Sequence, residues 1–211
     1  MVESAALLID NILPQLPMRQ WVLSVPFQLR FLFASQPQVM GKVLGIVYRA
    51  IETHIIKQAG ETRNTARTGA VTLIQRFGSA LNLNIHFHML FLDGVYVVDH
   101  QPRVFRRTKA PTPAALERLI QTISHRIGRY LERAGLLVRD VENSYLQLDA
   151  VDESAMDDLL GHSITYRIAL GPQAGRKAFV LQTVPAREES SNHPRLARAN
   201  GFSLHAGVAA K

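Results

Sequence analysis

Residues 81–89 read L-N-L-N-I-H-F-H-M, a strict alternation of apolar and polar side chains. A period of two marks a β-strand with two unlike faces. Leu81, Leu83, Ile85, Phe87 and Met89 would face a core, and Asn82, Asn84, His86 and His88 the other side. Imidazoles two residues apart on one strand project in the same direction and can give one divalent cation two nitrogen ligands. A third ligand has to come from another element. Gln75, on the preceding predicted strand, and His205, on the last one, are both candidates, and spacing does not choose between them. A cation held this way can polarise a phosphoryl oxygen, and a tyrosine can then attack the phosphorus to give a covalent phosphotyrosine link. His-x-His alone is a weak signal, since two histidines on a half-exposed strand need do nothing. Four polar residues in register strengthen it.

The flanking sequence predicts the elements that would hold this strand. Residues 69–77 read as a neighbouring strand followed by a Gly78-Ser79 turn, and Asp93-Gly94 before residues 95–98 predicts a β-hairpin. Residues 19–27 are β-rich and end at Pro26. Val39, Val43, Ile46, Val47, Ala50 and Ile51 recur at helical spacing within 37–59, with Gly60 as C-cap. Residues 61–68 read as a loop and 102–113 as a basic, proline-containing connection. A second long helix is predicted over 112–134, ended by Gly135. Shorter expectations are a helix over 2–13 closed by Pro14 and Pro17, a helix over 152–160, strands over 163–170 and 178–183, a loop over 184–200 and a final strand over 201–209.

Composition narrows the partners. Lys plus Arg number 24 against 17 Asp plus Glu, a net charge of +7, which favours a polyanion such as nucleic acid. Charged residues are 19% and hydrophobic residues 47% of the chain, which excludes wholesale disorder. With no cysteine, thiol catalysis and thiolate metal sites are excluded. No apolar run of about 18 residues predicts a membrane span, and Glu3 and Asp10 argue against a signal peptide. Arg103, Arg106, Arg107 and Lys109 cluster after the predicted hairpin, while Arg126, Arg129 and Arg133 share one helical face. Arg187, Arg195 and Arg198 form a third group. Each can neutralise phosphate, and each can equally be a solvated surface. Among the tyrosines, Tyr130 lies among the helix arginines, although its spacing also suits packing beside Ile127 and Leu131. Tyr48 falls in an apolar helix pattern, and Tyr96, Tyr145 and Tyr166 sit in strand- or loop-like contexts.

The stretches QWVLSVPFQLRFLFA, AVTLIQRFGSALNLNIHFHMLFLDGVYV, ALGPQAG and GFSLHAGV resemble the rolling-circle insertion-sequence transposases of the insertion-sequence-ninety-one family. These are His-hydrophobic-His nucleases, like the plasmid relaxases and replication initiators. The resemblance implies an α+β fold, an antiparallel sheet with flanking helices forming a Rep/relaxase-like nuclease core. It implies that His86 and His88 hold a divalent metal, Mg or Mn. It also implies nicking of single-stranded or transposon-end DNA by a tyrosine, and a cytoplasmic, nucleoid-associated protein with no membrane partner. Members of this family usually carry a cysteine-rich zinc region before this segment and a tyrosine-bearing helix after it. Both are expected to be missing here. That leaves 1–18 as a helical lead-in and 19–211 as a truncated nuclease domain with the basic connection at 103–113. Tyr130 would then be the local candidate nucleophile. Two activities follow as expectations: metal-dependent strand nicking and transfer, or a catalytically dead fragment that binds DNA.

Overall fold

The computed structural model describes residues 13–78, 83–98, 103–139, 144–146 and 194–210. The expected helices at 2–13 and 152–160 and strands at 163–170 and 178–183 lie outside or almost wholly outside these residues.

The fold is α+β. Its main sheet has five antiparallel strands in the order β3 (Ala70–Phe77), β4 (Leu83–Leu92), β1 (Met18–Ser24), β10 (Phe202–Ala210) and β9 (Leu196–Ala199). Alternation places Trp21 and Leu23 of β1, Ile85, Phe87, Met89 and Phe91 of β4, and Leu204 and Ala206 of β10 on one buried face. Three helices cover that face: α1 (Phe27–Ser35), α2 (Pro37–Gln58) and α3 (Pro113–Arg133). Val43, Val47 and Ile51 of α2 and Leu116, Ile120, Ile123 and Ile127 of α3 belong to the same apolar core as the strands. The opposite face of the sheet carries the alternate, more polar residues.

Local chemistry sets the helix ends. Pro37 and Pro113 occupy first-turn positions, where a missing N–H costs no helical hydrogen bond. Thr112 caps α3 by accepting a hydrogen bond from the Ala115 amide at 3.2 Å. Gly60 and Gly135 follow α2 and α3 at φ 77° and 69°, a conformation that glycine adopts without a Cβ clash.

Four expectations are corrected. The chain turns helical at Phe27, directly after Pro26, so α1 replaces the end of the expected 19–27 strand. Residues 196–199 form β9 rather than loop, joined to β10 through Asn200 and Gly201, both at positive φ. Asp93-Gly94 makes no hairpin. β4 pairs with β1 and β3, whereas β5 (Gly94–Val97) leaves for a second sheet, between β2 (Ala66–Arg67) and β6 (Val104–Arg107). β6 thus gives part of the 103–113 connection strand structure.

The reason for the missing hairpin lies in Asp93 itself. Its carboxylate accepts from Arg19 Nε at 2.8 Å and Nη2 at 2.9 Å, and Arg19 Nη1 donates to the Gly207 carbonyl at 2.8 Å. The pair is buried, Arg19 being 7% and Asp93 4% exposed. A Cβ on Gly94 would lie 2.4 Å from the Arg106 carbonyl oxygen, so glycine there serves close approach of β6. A third, two-stranded sheet joins β7 (Leu137–Arg139) to β8 (Ser144–Leu146).

Candidate functional site

β4 lies inside the sheet, paired on both sides, and its register aligns into rows the face away from the described helices, the open face among the described residues. One row runs Gln75, His86, Ser24, Ser203, Arg198 across β3, β4, β1, β10 and β9. The next runs Leu73, His88, Val22, His205, Leu196. Directly paired residues share a face, so both histidines and both candidate third ligands lie on the side of the sheet away from the helices.

Neighbouring side chains orient the two imidazoles. His86 Nδ1 is hydrogen-bonded to the Ser24 hydroxyl at 2.8 Å. His88 Nδ1 lies 3.4 Å from Gln20 Nε2, and His88 Nε2 lies 3.0 Å from Gln75 Oε1. Gln75 is held in turn by donating its amide to the Phe77 carbonyl at 3.1 Å. This chain is consistent with His88 protonated on Nε2. Ligation through that nitrogen needs the other tautomer, with Nδ1–H donating to the Gln20 amide oxygen after the amide turns over. The rings are tilted by 44° with centroids 6.2 Å apart. Burial, reinforced by the Arg30 guanidinium and by His88, holds His86 below the usual histidine range. A neutral imidazole keeps the lone pair that a metal requires. Arg30 reaches this end of β4 from α1, donating to the Leu83 carbonyl at 3.2 Å.

Among the described residues no three His, Cys, Asp or Glu side chains converge. The donors that do converge are two imidazoles and the Gln75 amide. Imidazole nitrogen and amide oxygen suit a borderline to hard divalent ion, and the ring contacts to Ser24 and Gln20 resemble the outer supports of metal-bound histidines. In donor type the residues fit a divalent cation. His205 shares the face but lies two strands from His88 with Val22 between, roughly 10 Å at ordinary strand spacing.

The other sequence candidates are distributed elsewhere. Arg126, Arg129 and Arg133 are exposed on α3, behind the sheet. Tyr130 is on the same helix, half-buried against the core, and the structure does not bring it to the histidines. Tyr48 stacks on Phe91 on the core side and Tyr96 packs edge-on to Phe105 in the second sheet. The Tyr145 side chain and Tyr166 lie outside what is described. Arg103, Arg106, Arg107 and Lys109 are exposed around β6. Arg106 is engaged by Glu61 at 2.6 Å, and Arg107 lies 3.9 Å from Asp93. Sequence reading missed Ser24, Gln20, Arg30 and the place of Arg198 on the open face. The alternation Gln20, Val22, Ser24 against Trp21 and Leu23 was the available signal for the first two.

Fold and site together define an α+β protein whose antiparallel sheet presents a histidine pair on the polar face that the described helices leave free. Residues 69–209, about two-thirds of the chain, match the family model described as "Putative transposase". The chain belongs to this transposase family. The match takes in both histidines, α3 and the β9–β10 hairpin. No curated protein and no solved structure gives a match. Among the described residues no helix is long and apolar enough to cross a membrane.

Proposed function

We propose that the open sheet face is the metal-binding and strand-binding half of a tyrosine-dependent single-strand DNA nuclease, working in transposition by a rolling-circle route. The observation that carries this reading is the convergence of His86, His88 and Gln75 on one face, each ring steadied by a partner at Nδ1. A divalent cation, Mg or Mn, would supply charge to a phosphoryl oxygen of the scissile phosphate. His86 and His88 would hold it, with Gln75 as the adjacent third donor and His205 as the other. Ser203 and Arg198 continue the same row and would meet the DNA backbone beyond the cation.

In the reaction a tyrosine oxygen forms a bond to phosphorus while the bond from phosphorus to one deoxyribose oxygen breaks. The released hydroxyl takes up a proton, and attack by a later hydroxyl reverses the link. A second reading, DNA binding without nicking, is favoured by one observation: the tyrosines with described side chains, Tyr48, Tyr96 and Tyr130, lie away from the open face.

Labelled single-stranded DNA incubated with the protein, with and without Mn²⁺, and run on a denaturing protein gel separates the two. The nuclease reading expects a metal-dependent covalent adduct that is lost in His86→Ala and His88→Ala, its tyrosine then located by peptide mapping. Salt-sensitive binding with no adduct under any condition would leave the binding reading.

A further inference from the structure

Behind the sheet, α2 and α3 leave a cleft of about 250 Å³ between their outward surfaces. The small side chains of Ala50 and Ala115 make the space, and Leu119 lines it beside them. Lys57 enters from α2, and Arg118 and Arg126 from α3, eight residues apart on one helical stripe. Among the described residues no carboxylate lines the cleft and none of these three cations is in an ion pair. His54 also lines it, and burial, then Arg118, hold that ring below the usual histidine range. Thr53 and Thr122 spend their hydroxyl protons on the Arg49 and Arg118 carbonyls. The ammonium and guanidinium groups are therefore the donors a ligand would meet. Three like charges gathered in a concave surface without an acid repel one another until an anion joins them, and such a cleft focuses the potential that attracts it. The arginine stripe continues past the cleft to Arg129 and Arg133 on exposed turns of α3. A small phosphate has no use for that extension, whereas a polymer of phosphates does.

We infer that the α2–α3 cleft is a second phosphate-binding site that takes the backbone of a DNA segment other than the one on the histidine face. The sheet and a helical layer about 10 Å thick separate the two. A strand lying on the histidine face therefore does not reach the cleft directly. The inference rests on the DNA-binding reading of the family but not on nicking.

The test is DNA binding by fluorescence anisotropy in EDTA, over a range of salt, using a labelled oligonucleotide in single-stranded and duplex form. Arg118→Gln/Arg126→Gln, with folding checked by circular dichroism, is expected to bind about tenfold more weakly near 0.1 M salt. The slope of log affinity against log salt should fall by about 0.7–0.9 for each phosphate that the variant no longer neutralises. Lys42→Gln/Arg49→Gln on the exposed face of α2, matched in charge, should retain more of both. Wild-type affinity and slope in the cleft variant overturn the inference, as does an equal reduction in the charge-matched variant. If the cleft variant fails to bind tripolyphosphate while its DNA binding stays intact, the inference is overturned too, because the cleft then belongs to free phosphates. The covalent adduct and its dependence on His86 are read in a separate, metal-containing reaction, so failure of the nuclease reading leaves this result unaffected.

Discussion

Ser24 and His86 meet at 2.8 Å, and that contact occupies Nδ1 of His86, so a ligand would have to meet Nε2. When Nδ1–H donates to the Ser24 hydroxyl, Nε2 keeps its lone pair and is left to bind the proposed cation. Ser24→Ala should therefore weaken Mn²⁺ binding by roughly 10–100-fold, the usual cost of removing an outer support, with little change in thermal unfolding. Titration calorimetry on both proteins checks this, and equal affinities would remove Ser24 from the site. His54 gives a second test at this scale. Its ring packs edge-on to Trp21, Nε2 is buried without a partner among the described residues, and burial lowers its affinity for protons. The unfolded chain takes up the proton near the ordinary value of 6.5 while the folded protein holds out to lower pH. Between those points the unfolded state binds more protons, so stability is full above 6.5 and declines as pH falls through that window. Urea unfolding at pH 7.5 and 5.5 should show the decline in the native chain and a smaller one in His54→Phe. An unchanged decline in the variant would assign the effect to other groups.

At the scale of elements, the junction between β4 and β5 depends on Asp93. Removing one member of a buried, bidentate ion pair leaves the other charge without compensation, at a cost of about 3–5 kcal/mol. Asp93→Asn should lose stability of that order in denaturant unfolding, while Arg19→Met/Asp93→Leu should recover most of it. If the single variant is as stable as the native chain, Asp93 does not hold the junction. The same junction shows why part of the fold was legible in the sequence and part was not. β4 was readable because alternation at five consecutive apolar positions has one structural meaning, and α2 and α3 because helical spacing agreed with proline starts and glycine stops. Asp93-Gly94 misled because a local turn signal was outweighed by a contact made 74 residues away in sequence. α1 was hidden by its aromatic, β-favouring composition, FQLRFLFAS, beside a true strand. The β9–β10 hairpin was written in Asn200-Gly201, but β9 is only four residues long and too polar to alternate clearly. At the site, His86 and His88 could be read within one strand. Their partners Ser24, Gln20 and Gln75 come from other strands, and only register brings them together.

Taken as a whole, the molecule has one long edge among the described strands that is paired on a single side. β3 carries Leu73, Ile74 and Phe77 at 60%, 38% and 47% exposure. An apolar edge of this kind is a template for pairing with another chain. Phe77→Lys should reduce concentration-dependent self-association in sedimentation velocity, and identical profiles for the two proteins would show that this edge is not adhesive. The connectivity has a further consequence. β1 sits in the middle of the sheet with β4 on one side and β10 on the other, and Arg19 reaches Gly207 across 188 residues of sequence. As the chain leaves the ribosome, β1, β3 and β4 can pair early, but β10, the second partner of β1, is made only after residues 93–201 have followed. At ordinary elongation rates the gap between Leu92 and Ala210 lasts roughly 6–24 s. Throughout that interval the nascent sheet has β1 as a second naked edge among the described strands. The row that joins His86 through Ser24 to Ser203 and Arg198 is complete only after β9 and β10 emerge, so a chain whose translation stops before them carries the histidines without the far half of their surface.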